Sequence, residues 1–230
     1  MKLGVFLPTF EATADPALAA ADAAAAAGLD GVFAFDHLWP MRTPTRPALA
    51  PFPVLAAVAT RLPQLAIGPL VARVGLVGTD HLVEEFATLA ALAPGRVVAG
   101  LGTGDQLSDA ENDAYGLAHR SARERRAMLR DAAVALRDSA DVWVGAGGEA
   151  TNAVARDLGV ALNLWGVSPD AVAAAAAIGE VTWAGPVHAD PAAILSALAA
   201  AGASWAVVTR DVELAALVNW RRENPLTTFH

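Results

Sequence analysis

The adjacent pair Asp36-His37 is well suited to proton chemistry. An imidazole exchanges protons with a bound ligand near neutral pH, and a neighbouring carboxylate can orient it. The structural alternative is that Asp36 caps a turn and His37 packs against it. A second candidate is Gly100-Leu101-Gly102-Thr103-Gly104-Asp105, whose glycines lack the Cβ that would hold a flat ligand off the backbone. Asp105 at its end can serve as acid, base or hydrogen-bond acceptor, or else as a helix cap or solvated loop acid. This run is no dinucleotide fingerprint, because it falls in the fourth βα unit and no ribose-binding acid follows a matching second strand. The third candidate, Gly145-Ala146-Gly147-Gly148-Glu149-Ala150-Thr151-Asn152, immediately precedes a helical pattern. Free N–H groups at the positive end of a helix suit a phosphate. Glu149 repels an anion there unless its side chain turns outward, and a tight βα turn is the alternative reading.

Those residues need a frame. Strand-like runs alternate with helical patterns along the chain: Lys2–Leu7, Gly31–Phe35, Leu65–Ala72, Arg96–Leu101, Val142–Val144, Ala161–Trp165, Val181–Trp183 and Trp205–Val208. Eight βα units in series predict a closed, compact (β/α)8 barrel of the TIM type, one domain over residues 1–230, rather than an open doubly wound sheet. The candidate residues then lie at strand exits, the end where such barrels carry their sites. Helices are read at 54–62, 81–92, 122–137, 169–177 and 191–201, and Ser108–Tyr115 as an acidic excursion. The alanine runs Ala23–Ala27 and Ala173–Ala177 end at Gly28 and, after Ile178, at Gly179, which marks close-packing helices rather than low complexity.

Composition narrows the function. With 16 Lys and Arg against 24 Asp and Glu, the formal charge is -8, and no basic block exists to follow a phosphate backbone, so no nucleic-acid partner is expected. Cysteine is absent, which excludes disulfides, thiolate metal sites and cysteine nucleophiles. The five histidines show no zinc spacing, and no GxSxG elbow is present, so no metal is expected. Pro8 and Glu11 interrupt the first apolar run too early for a membrane span, so the chain reads as a cytoplasmic protein without membrane association. Arg120, Arg123, Arg125, Arg126 and Arg130 read as a solvated helical face. Trp143, Trp165 and Trp183 read as core or cavity-rim residues.

Taken together, Lys2–Pro8, Gly31–Leu38, Ile67–Val77, the block HLVEEFATLAALAPGRVVAGLGTG at 81–104, Glu111, Tyr115-Gly116, Glu124-Arg125 and VGAGGEATNAVA resemble the bacterial luciferase-like oxidoreductases. That group includes flavin monooxygenases and enzymes using the deazaflavin F420. The resemblance implies that His37 faces the reactive ring with Trp39 nearby, that Asp105 stands where an active-site carboxylate follows the GTG turn, and that 145–151 receives a phosphate. Asp105 is shorter than the glutamate of the best-known dehydrogenases. The resemblance further implies a non-prolyl cis peptide near Leu70–Ala72 and a homodimer. The cofactor contacts it points to are Asp36, Trp39, Leu70, Val71, Ala72, Gly102, Thr103, Gly104, Gly145, Ala146, Gly147, Gly148 and Thr151. The chain departs from the family in lacking the usual large late insertion, since Trp165 and Val181 are separated by room for one helix. The pocket is then open or completed by a second subunit. The expectation is an F420-dependent oxidoreductase acting on a small organic substrate, with an FMN monooxygenase and a noncatalytic cofactor-binding or assembly barrel as alternatives.

Overall fold

The computed structural model describes residues 1–40, 43–104, 108–187, 190–209 and 212–226. Strand and helix alternate from the start: β1 (Lys2–Phe6), α1 (Asp15–Ala26), β2 (Gly31–Ala34) and α2 (Pro51–Arg61). The third strand is in two pieces, β3 (Ala66–Pro69) and β4 (Ala72–Arg73), followed by α3 (Thr79–Leu92) and β5 (Val98–Gly102). Then come α4 (Asp109–Ala114), α5 (Ala122–Leu136), β6 (Asp141–Gly145), α6 (Glu149–Leu158) and β7 (Ala161–Trp165). The chain ends with α7 (Pro169–Ala176), β8 (Val181–Gly185), α8 (Pro191–Ala200), β9 (Trp205–Val208) and α9 (Leu214–Glu223).

Every strand pairing is parallel, in the order β3-β2-β1-β9-β8-β7-β6-β5-β4. The two ends of that order are consecutive pieces of one strand, and a bridge from Ile67 to Val97 joins β3 to the start of β5, so the sheet is a near-closed barrel. The eight-strand reading is thus amended to nine segments, with the break at a cis peptide between Leu70 and Val71. The 108–115 excursion contains a helix, α4, and α9 follows the last strand. Between β7 and β8 stands α7 alone, as the short spacing implied.

Local chemistry sets the helix starts. Ser121 and Glu124 form a reciprocal capping box on α5, Ser168 caps α7, and the Asp190 carboxylate takes the Ala192 and Ala193 N–H groups at α8. Each such cap is worth about 1 kcal/mol. Gly159, at φ 64°, ends α6 in the left-handed conformation.

Alternation along the strands sends one set of side chains inward and the other under the helices. The inward set includes Phe33, Trp143 and Trp205, whose rings stand 5.4 to 5.8 Å apart centroid to centroid and fill the barrel. Trp183 is buried in the outer layer and its indole N–H donates to the Val167 carbonyl at 3.0 Å. Where three rings occupy the interior, the adjacent strand must yield space: a Cβ on Gly4 would sit 2.7 Å from the Phe33 ring.

Backbones come closest beside the divided strand. A Cβ on Gly68 would lie 2.1 Å from the Val98 carbonyl oxygen, and one on Gly100 would lie 2.4 Å from that of Pro69. Neither obstacle is a side chain that can rotate away. Gly68→Ala is therefore expected to cost about 3 kcal/mol or more of unfolding free energy, the upper range for overpacking, whereas Gly78→Ala, where a Cβ meets nothing within 4 Å, changes little. Urea unfolding of both variants checks this; equal midpoints would contradict the close-approach argument.

Candidate active site

The strand exits enclose a cavity of about 400 Å³, open on one side. One wall is aromatic. Phe35, one residue past β2, stacks on Phe6 (centroids 4.1 Å, planes 3° apart) and lies parallel to Phe10 at 5.7 Å, with Trp165 edge-on to it at 6.0 Å. Opposite this wall come the Leu70–Val71 bulge and the glycines beside it. Cβ atoms on Gly102 and Gly145 would fall 2.3 and 3.2 Å from the Val71 methyl groups, so both positions keep the floor low around that side chain.

His37 lines the cavity and is held from behind. Its Nδ1 lies 2.9 Å from Glu111 Oε1, and the other carboxylate oxygen of Glu111 accepts from the Leu38 N–H at 3.0 Å and from Arg73 Nη2 at 2.7 Å. Arg73 in turn donates its backbone N–H to Asp36 Oδ2 at 2.9 Å and its Nε to the Asp36 carbonyl at 3.0 Å. The Glu111 and Arg73 side chains are buried, at 1% and 6% exposure, while His37 keeps 21%. Asp36 is thus an orienting residue for Arg73, and the direct partner of His37 is Glu111. Glu111 was visible in the sequence as a matching acid; its contact with His37, 74 residues away, was not.

A second cavity of about 420 Å³ adjoins the first, sharing Thr103 and Gly104 and reaching the N-terminus of α6 at Gly147, Gly148 and Thr151. Among the described residues, no hydrogen bond takes up the N–H groups of Gly148, Glu149 or Ala150, whereas Gly147 N–H is held by Asn152 Oδ1. Glu149 also lines this cavity, and its carboxylate is paired with Arg156 on its own helix. Arg125 and Arg126 line the same cavity rather than a wholly solvated face, and Arg125 Nε is buried without a partner.

The structure therefore brings together Asp36, His37, Leu70, Val71, Gly102, Thr103, Gly104, Gly145 and Ala146 at the first cavity and Gly147, Gly148 and Thr151 at the second. Two candidates stand apart. Trp39 is buried beside Tyr115, with ring centroids 6.0 Å apart, and is absent from both linings. Ala72 is buried under the bulge that its neighbours Val71 and Arg73 present. Asp105 lies outside the described residues. Trp165 stands at the rim, 51% exposed. Among the described residues, no group of three or more metal-ligating side chains occurs, and no helix is long and apolar enough to cross a membrane.

A parallel barrel with a cavity at its strand exits and free helix N–H groups beside it has the site of a (β/α)8 barrel and donors for an anion. The sequence profile described as luciferase-like monooxygenase matches residues 1–218, and the chain is a member of that family. It is 35% identical over 129 residues to an F420-dependent glucose-6-phosphate dehydrogenase of Nakamurella multipartita, covering 54% of this chain and 36% of that protein. It is 33% identical over 145 residues to an F420-dependent hydroxymycolic acid dehydrogenase of Mycobacterium tuberculosis, covering 62% and 38%. These matches span little more than a third of each relative's length. In fold it is similar to an F420-dependent secondary alcohol dehydrogenase solved with an F420-acetone adduct (TM-score 0.79, 14% identity, 96% of this chain and 97% of that one). It is also similar to a monooxygenase from Streptomyces bottropensis (TM-score 0.71, 13% identity, 96% and 97%).

Burial pushes the Asp36 carboxyl above the usual aspartate range, and hydrogen bonding from the Arg73 backbone with the charges of Arg73 and His37 offsets only part of this. The folded protein then holds that proton to higher pH than the unfolded chain does, so stability falls as pH rises through the interval above the ordinary aspartate pKa. Asp36→Asn keeps an oxygen for the Arg73 N–H and removes the titration. The variant is expected to lose this slope and to be at least as stable as the wild type at neutral pH. Urea unfolding as a function of pH measures it; parallel slopes in both proteins would count against the assignment.

Proposed function

We propose that this chain is an F420-dependent oxidoreductase that moves a hydride between the deazaflavin and a small organic substrate. The observation that carries the reading is the alignment of His37, fixed by Glu111 on the wall of the first cavity, with a second cavity that ends on free helix N–H groups. The residues fit such a group. Leu70, Val71, Gly102 and Gly145 leave a low floor for the ring, and the aromatic wall covers its surroundings. The Gly148, Glu149 and Ala150 N–H groups and Thr151 are donors for the anionic tail, with the Arg125 and Arg126 side chains lining the same cavity. The F420-dependent relatives named above support the same cofactor.

When bound, a deazaflavin accepts or returns a hydride at a ring carbon. His37, through the ring nitrogen that Glu111 does not hold, accepts the hydroxyl proton of an alcohol substrate as its C–H electron pair departs, and returns that proton in the reverse direction. Phe10 and Phe35 shield one side of the reacting atoms from water, with Trp165 at the open rim. Residues 1–230 are read as one domain, and the half-exposed Trp165 at the open rim suits coverage by a second copy of the chain.

Parallel fluorescence titrations test the cofactor. F420 is expected to bind at least tenfold more tightly than FMN, a difference of about 1.4 kcal/mol. The reverse order supports an FMN monooxygenase, and no binding of either supports the noncatalytic barrel. In F420 turnover, His37→Ala is expected to lower kcat by about 10² to 10⁴, the usual span for a proton-transfer group, with cofactor Kd near the wild-type value. Light scattering over a range of concentrations should find a dimer; monomer throughout would remove the second copy from the site.

A further inference from the structure

We propose that Glu111 sets the tautomer of His37: it holds the proton on Nδ1 and so keeps the Nε2 lone pair for the cavity. The argument is one of donors and acceptors. Glu111 Oε2 already accepts twice, from the Leu38 N–H at 3.0 Å and from Arg73 Nη2 at 2.7 Å. Both of these groups are donors and nothing else, so the carboxylate must present acceptor oxygens on that side. Its remaining oxygen, Oε1, meets His37 Nδ1 at 2.9 Å, and a carboxylate has no hydrogen to offer there. Nδ1 is therefore the donor, and in the neutral ring Nε2 is left as the acceptor.

The groups that fix Glu111 are themselves fixed. Arg73 is locked by the Asp36 carboxylate and carbonyl as well as by Glu111, and Leu38 N–H belongs to the residue that follows His37. With 1% exposure, Glu111 has no water to substitute for these partners. The imidazole thus has its proton position specified by a carboxylate on α4, far away in sequence, rather than by the adjacent Asp36. Glu111 acts through His37 and is a positioning residue.

The same geometry says what an isosteric change does. In Glu111→Gln the two donors Leu38 N–H and Arg73 Nη2 still require an oxygen between them, so the carboxamide oxygen must take the Oε2 place. The carboxamide NH₂ then stands where Oε1 stood and points at His37 Nδ1, which must now accept. The ring proton moves to Nε2, and the cavity meets a donor in place of an acceptor. The tautomer does not depend on the proposed function; its catalytic consequence rests on that reading.

The test uses ¹⁵N-labelled, cofactor-free protein at a pH where the ring is neutral, with His37 assigned by its absence from His37→Gln. Long-range ¹H–¹⁵N spectra are expected to give wild-type His37 a protonated, pyrrole-type Nδ1 and an unprotonated, pyridine-type Nε2, and Glu111→Gln the opposite pattern. A wild-type Nε2–H tautomer overturns the proposal without reference to any variant, and so does a folded Glu111→Gln that keeps the wild-type pattern. In turnover with F420 and an alcohol substrate, Glu111→Gln is expected to lower kcat by about a hundredfold, the low end for a proton-transfer group, with cofactor Kd unchanged. Inverted tautomers with undiminished kcat would uphold the role of Glu111 and remove His37 from proton transfer.

Discussion

The Arg73 guanidinium is buried, and the placement of the strand exits around it follows from what it needs. A charge taken out of water requires partners on every side, because leaving one uncompensated costs several kcal/mol. The guanidinium finds them in Glu111 on α4, through Nη2, and in the Asp36 carbonyl, through Nε, while the Asp36 carboxylate takes the Arg73 backbone N–H. Three segments far apart in sequence are thereby held at one point, and His37, between Asp36 and Leu38, has little choice of position. Replacing such a buried pair with apolar groups often leaves stability unchanged or improves it. What the pair contributes here is registry: hydrogen-bond geometry allows one arrangement of β4, α4 and the β2 exit, where apolar packing would tolerate several.

That arrangement depends on how the barrel closes. β3 follows β2, and β4 follows β5, so the third strand changes partner midway and its side chains leave the simple inward and outward alternation. Val71 consequently enters the cavity and Arg73 turns into the interior beside it. Gly68, Gly100 and Gly102 are the residues beside this transition where a Cβ would strike a neighbouring backbone or side chain. Below it, Phe33, Trp143 and Trp205 fill the barrel, so the space for a ligand lies above the rings, at the exits.

The barrel was legible in the sequence because each βα unit carries its own period and punctuation. Ala161–Trp165 and Trp205–Val208 have the same limits in both readings. The exit positions of His37 and the two glycine clusters followed from strand order alone. What escaped was set by contacts between distant segments. Ser108–Tyr115 read as an acidic excursion with Glu111 as a matching acid, and composition could not say that Glu111, among Asp109, Glu111 and Asp113, turns inward against Arg73. Trp39 matched an expected aromatic position, but Tyr115 at the C-terminal end of α4 gives it a different neighbour. Arg125 and Arg126 read as surface because helical spacing cannot say which side of an arginine-rich helix another helix's N-terminus will face. No local rule could have separated these cases.

An anionic ligand and a chain of charge -8 are compatible for a local reason. Exposed charges are screened over about 8 Å at physiological salt, so the acids scattered over the outer helices contribute little at the strand exits. What matters is the balance within the trough itself. There Glu149 is an acid beside the free N–H groups, and its pairing with Arg156 on the same helix offsets its charge. Arg125 and Arg126 come from the facing helix, and the α6 dipole adds partial positive charge at the same place. The sign of the field at this end of the site is therefore set by two helices. At the other end Arg73 and Glu111 are paired with each other, and His37 stands beside an aromatic ring. A ligand charged at one end and flat and uncharged at the other is matched at both, and it has one way round to lie.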